Sequence, residues 1–174
     1  MRKLTALTVF VLFIAAVSFA QEAKKPLSPP AQAKAKIGGK SVTIDYSAPS
    51  KRGRAIVGGL VPYGQVWRTG ANAATTLTTE GDLMIGKLHV PAGKYTLYSL
   101  PAEKGWTLIV NKQTGQWGTQ YDETQDLGRI AMTVKPVKNT VETFVIGLKS
   151  TGAKKGALTL TWENTEASVT LTGH

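Results

Sequence analysis

Leu83-Met84-Ile85-Gly86-Lys87-Leu88-His89-Val90-Pro91-Ala92-Gly93-Lys94-Tyr95-Thr96-Leu97-Tyr98-Ser99-Leu100 is the stretch that decides the fold class. Two apolar runs of three residues flank Gly86-Lys87, a two-residue signal for a tight hairpin. Pro91 to Lys94 then turns the chain into a third run, Tyr95 to Leu100, rich in aromatic and β-branched residues. Runs this short do not reach the ten or so residues of a typical helix, so the stretch predicts three antiparallel strands.

The pattern continues on both sides. Ser41 to Ser47 alternates, with Val42, Ile44 and Tyr46 on one face and Thr43, Asp45 and Ser47 on the other, as a half-buried strand requires. Ala74 to Thr79 opens another strand through its threonines. Trp106 to Asn111 is apolar at most positions, as in the middle of a sheet. Ile130 to Val134 alternates and is expected to stop before Pro136. Glu142 to Lys149 alternates again, and Ala157 to Trp162 and Ser168 to Leu171 supply two last strands. About nine or ten short strands without a helical stretch predict an all-β protein, a single antiparallel β-sandwich or jelly-roll-like domain.

The chain has 174 residues, of which the first twenty read as a secretory signal peptide. Met1-Arg2-Lys3 is basic, Leu4 to Val17 is almost continuously apolar, and Ser18-Phe19-Ala20 offers small residues for cleavage before Gln21. The apolar run is shorter than the roughly 20 residues that span a bilayer, so no transmembrane span is expected after cleavage. The expected location is the periplasm or the exterior. Residues 21–40, rich in Lys, Ala and Pro, read as an extended, partly disordered lead-in, and residues 41–172 as the sandwich.

Removing Arg2 and Lys3 with the leader lowers the formal charge from +10 to +8. A basic exported protein is suited to anionic small molecules, acidic glycans or envelope partners, and no nucleic-acid motif appears. The chain has no cysteine, which excludes disulfides, thiol catalysis and Cys-based metal sites. Its two histidines are His89 and His174, too few for a zinc or copper site, and no cofactor is expected. Asp122, Glu123 and Asp126 are the one acidic concentration and read as a solvated loop.

Arg52 to Thr76 is the segment in which function is expected to reside. Its five glycines break every period, yet it holds Trp67 and the arginines Arg52, Arg54 and Arg68, which a mere spacer has no use for. Arg54 and Arg68 supply forks that match a carboxylate, sulfate or phosphate. Asn72 adds an amide, and Tyr63 and Trp67 add aromatic faces. Buried arginines also satisfy loop carbonyls, so a purely structural reading stands beside the ligand site. Gln116 to Gly128 is the second irregular loop and brings Trp117 and Asp126, followed by Arg129. No nucleophile elbow occurs, and the carboxylates available to a hydrolase are Asp126 with Glu142 or Asp45.

Gly58-Gly59-Leu60-Val61-Pro62-Tyr63-Gly64, then Trp67-Arg68-Thr69-Gly70-Ala71-Asn72 and Thr75-Thr76, resembles the signature of exported bacterial proteins grouped as domain of unknown function 2911. The resemblance runs through Pro91 to Tyr95, Trp106, Asn111, Gln116-Trp117-Gly118, Asp126, Arg129 and Glu142. It implies an envelope or secreted location and no established activity. The family pattern commonly has Arg before the proline at position 49 and Glu after the asparagine at position 72, where this chain has Ala48 and Ala73. The favoured expectation is a non-catalytic binding module for a small anionic or carbohydrate ligand or a partner protein. Its site would comprise Arg54, Tyr63, Trp67, Arg68, Asn72, Asp126 and Arg129. A carboxylate-pair hydrolase and a purely structural domain are the alternatives.

Overall fold

The computed structural model describes residues 26–174, so the expected leader lies outside the described residues. Nine strands follow one another: β1 Pro30–Ile37, β2 Lys40–Ser47, β3 Thr76–Thr79, β4 Leu83–Ile85, β5 Leu88–Val90, β6 Gly93–Ala102, β7 Gly105–Asn111, β8 Asp126–Ser150 and β9 Lys155–Gly173. One 3-10 turn, Glu123–Gln125, precedes β8. All pairings are antiparallel, in the order β1-β2-β3-β6-β7-β8-β9-β4-β5, and the sheet does not close into a barrel.

The sheet folds over because β8 belongs to both of its leaves. A straight strand of 25 residues would reach about 80 Å, far beyond the diameter of a domain this size. Residues up to Met132 pair with β7, and residues from Thr133 onward pair with β9. Between the pairs Pro136↔Thr165 and Val141↔Glu163, five steps along β8 are matched by two along β9, so the hairpin bulges and bends. Glu163 takes φ 52° at this bend. One cluster of buried side chains, from Ala33 in β1 to Leu171 in β9, includes residues of every strand.

Two boundaries differ from the sequence reading. The ladder does not stop before Pro136: Pro136 sits at the bulge, where a missing N–H costs little, and β8 continues. Likewise β9 is one strand, not two. The expected lead-in also needs correction, since Pro30 to Ile37 forms β1 against β2 from Pro30↔Ser47 to Ile37↔Lys40. Its alternation is carried by alanines, too small to stand out. Ala33 and Ile37 are buried while Lys34 and Lys36 face solvent, and Gly38 and Gly39, with φ 61° and 78°, make the two-residue turn.

This placement of β1 separates two substitutions. Ile37→Ala should destabilise the protein by about 2–4 kcal/mol through a core cavity, whereas Lys36→Ala should change it by less than about 0.5 kcal/mol. Urea unfolding measures both, and equal effects would return the segment to the status of a lead-in.

Candidate functional site

The segment between β2 and β3 crosses the open side of the sandwich and is held by specific backbone bonds. Trp67 and Ser99 of β6 exchange bonds, Trp67 N to Ser99 O at 2.8 Å and Ser99 N to Trp67 O at 2.9 Å. The indole enters between the leaves. It stacks on Trp162 of β9 at 5.7 Å and 21°, and meets Phe144 of β8 at 4.9 Å and Trp106 of β7 at 6.4 Å. Trp67 therefore anchors the segment in the core, with its stacking capacity largely engaged there.

Thr69 is fully buried at φ 52°, with its hydroxyl on Ser99 Oγ at 3.0 Å, and Asn72 takes φ 59°. Arg52 adopts φ 51°. With Glu163, these are the non-glycine residues with positive φ among those described. Glu163 is also tied to the segment, through Lys51 Nζ at 3.1 Å and the Ile56 N–H at 3.1 Å. Backbone strain is thus gathered in one place, as at sites whose geometry the surroundings dictate.

The second loop closes over the first. Gly118 N donates to Asn72 O at 3.0 Å, Ala74 N donates to Gln116 O at 3.2 Å, and Ala73 bridges to Trp117. Gly118 is buried, and a Cβ there would lie 2.6 Å from Arg68 Cδ and 2.7 Å from Asn72 O, so only glycine lets Arg68 cross the junction. Ala71 N donates to Ser47 O at 3.2 Å, linking the segments that carry Ala73 and the buried Ala48.

A cleft of about 400 Å³ lies at this junction, walled by Arg54, Trp67, Arg68, Tyr98, Tyr121 and Trp162. Arg68 is half-buried, and its one side-chain hydrogen bond among the described residues runs from Nε to Gly70 O at 3.3 Å. No carboxylate lies within 4 Å of it among the described residues. Arg54 is exposed and bonds Lys51 O at 2.9 Å and Ser50 O at 2.8 Å, so it braces the turn while lining the cleft. Tyr98, buried on the outer face of β6, donates to Gln120 O at 3.1 Å and packs edge-on against Tyr121 at 4.8 Å.

The other expected site residues lie around this centre. Asp126 accepts from Asn111 Nδ2 at 2.9 Å, Tyr121 Oη at 2.8 Å and Arg129 Nε at 3.0 Å. Arg129 also bonds Glu123 at 2.8 Å and Tyr121 at 2.9 Å. Burial, then the bond to Asp126, pushes the Tyr121 phenol up to about 12. Asp126 and Arg129 therefore support Tyr121 from behind. Arg129 lines a different cavity, of about 780 Å³, beside the Gly86–Leu88 turn. Tyr63 is exposed over Gly58, and Asn72 reaches Ser28 O at 3.5 Å outside the cleft wall.

No carboxylate lines the cleft among the described residues. Asp45 accepts from Gln32 Nε2 at 2.7 Å and Glu142 from the Arg52 N–H at 2.7 Å, each away from Asp126's partners. Among the described residues no group of three His, Asp or Glu side chains is placed to hold a metal. His89 and His174, remote in sequence, do approach each other, with rings 6.3 Å apart and His89 Nε2 3.1 Å from Asp82. No helix of the described residues is long and apolar enough to cross a membrane. The sequence places Tyr121 in the second loop without giving it a role, and it does not single out Tyr98 or Trp162. The signal for Tyr98 was a β6 strand apolar on both faces, which requires a cover on each.

A family model described as a protein of unknown function, DUF2911, matches residues 28–171, and the chain belongs to that family. The match takes in both loops. No curated protein and no solved structure matches the chain.

Glu163 gives the site a pH signature. Burial pushes its carboxyl up, but the Lys51 ammonium and the Ile56 N–H outweigh this and hold it below the usual range. Its contribution is complete above the ordinary carboxylate value and is lost as pH falls through the depressed one. Glu163→Gln should cost about 1–2 kcal/mol at pH 7 and shrink the stability lost on acidification below about pH 4.5. Thermal melts of both proteins from pH 7 to pH 3 measure this, and parallel curves would remove Glu163 from its role.

Proposed function

We propose that the protein is an exported, non-catalytic binding module whose cleft between the two loops holds a small anionic ligand. One observation carries this reading: Arg68 stands half-buried in a concave site with one long bond to a carbonyl and no carboxylate partner among the described residues. A guanidinium used only to staple a loop is buried and spends its donors on carbonyls. Arg68 leaves its terminal nitrogens available for two-point contact with an oxyanion, and Arg54 adds a second positive charge on the wall.

Three further features support binding. The walls are aromatic and already fixed by the core, so little ordering is required when a ligand enters. Ser28 and Thr119 line the same space and bring hydroxyl groups that suit the polar part of a carboxylate or an acidic sugar. Among the described residues no carboxylate lines the cleft. Export rests on the leader-like first twenty residues.

Thermal unfolding with acetate, succinate, phosphate, sulfate and neutral sugars tests the reading. Ligand at about 100 times its Kd should stabilise the wild type by roughly 2.7 kcal/mol, a rise of several degrees in Tm. Arg68→Gln should keep the unliganded Tm within about 2–3 °C and lose that rise. A large drop in Tm for Arg68→Gln, with no anion shifting the wild type, would make Arg68 a structural staple.

A further inference from the structure

The exposed apolar residues are not scattered. Among the described residues six large hydrophobic side chains are exposed: Leu27, Leu60, Tyr63, Val66, Trp117 and Val145. All but Val145 lie on the two loops or on the segment leading into β1. Leu60 and Val66 line the cleft, Trp117 directly precedes the cleft residue Gly118, and Tyr63 packs over Gly58 between them. Trp117 keeps 52% of its surface in water although its backbone is pinned to Ala73. The solvent-exposed half of this tryptophan adds nothing to the core.

We propose that the cleft and this rim together form a docking surface for a polypeptide segment of a partner. The segment would place a carboxylate between Arg68 and Arg54 and lay apolar side chains against Leu60, Val66, Tyr63 and Trp117. The inference rests on the anion-binding reading and names the source of the anion. A free small anion is held by the arginines within the cleft, of about 400 Å³, and makes no use of Tyr63 and Trp117, which lie outside its lining. A peptide uses both parts. Recessed arginine surrounded by tryptophan, tyrosine and aliphatic residues is the composition of interface centres, where a few anchors carry most of the affinity.

An anionic bilayer fits less well. Asp122 and the Arg129-paired Glu123 are exposed beside Tyr121 on the cleft's own loop, so no broad positive surface extends from the cleft on that side. The lysines without acidic partners that gather most densely, Lys36, Lys40, Lys149, Lys154 and Lys155, lie at the β1–β2 and β8–β9 turns. Those turns meet where Ile37 packs on Gly156 and Gly173 N donates to Lys154 O at 2.8 Å. Ser28 of the cleft precedes β1, whose eight residues carry the chain roughly 25 Å to that lysine end. A bilayer would be drawn to the lysines, away from the cleft.

The test uses the whole protein without its leader, short synthetic peptides with one central Glu among Leu, Val and Phe, and the same peptides with Gln. Free glutarate and phosphatidylglycerol vesicles complete the set. The Glu peptides should bind about tenfold or more tighter than either the Gln peptides or glutarate. Trp117→Ser, at an exposed position outside the cleft lining, should lose about tenfold in peptide affinity and keep the glutarate-induced thermal shift. Arg68→Gln should lose both. Glutarate binding with no advantage for the peptides overturns this inference and leaves the anion site standing. Vesicle binding without peptide binding makes the rim a membrane contact. If neither peptides nor glutarate bind, the inference and the anion-binding reading fall together.

Discussion

The insertion of Trp67 between the leaves is the contact on which the rest of the site depends. Its backbone pairs with Ser99 in one leaf, and its ring lies on Trp162 and Phe144 in the other. Even a partly buried indole packed on three aromatic rings contributes roughly a few kcal/mol, which fixes this glycine-rich segment against the core. The core therefore dictates where the segment lies, and Arg68, the next residue, inherits a fixed position at the mouth of the cleft. Core packing and site geometry are here the same physical fact.

The strain follows from that. Arg52, Thr69, Asn72 and Glu163 hold left-handed backbones at a cost on the order of 1–3 kcal/mol each. Each is over-determined by its neighbours: Thr69 by the Ser99 hydroxyl, Asn72 by the Gly118 N–H, Glu163 by Lys51 and Ile56, and Arg52 by the Glu142 carboxylate. A segment needing only to connect β2 to β3 would relax. This one is held to a shape.

Alternation and turn chemistry made the fold class legible, and the hairpin at Gly86 appears where Gly-Lys predicts it. The pattern failed where side chains are small or where a strand bends. Alanines hid β1, and Pro136 disguised the continuity of β8. For the site, composition singled out both loops, and their meeting at Asn72 and Gly118 joins them. What composition does not encode is which arginine keeps its donors: Arg129 is engaged by Asp126 and Glu123, Arg54 by two carbonyls, and Arg68 by one. That division depends on contacts between residues far apart in the chain, as does the approach of Tyr98 to Tyr121.

The sheet order also has a temporal meaning. The β4–β5 hairpin, Leu83 to Val90, finds its sheet neighbour only in Leu171 to Gly173, close to 90 residues later in the chain. A chain synthesised from its N-terminus therefore carries that hairpin without a docking edge until the final strand emerges. The two leaves, sharing β8, then come together in one late step. Contacts so distant in sequence make assembly slow and cooperative, and leave the apolar hairpin unshielded meanwhile.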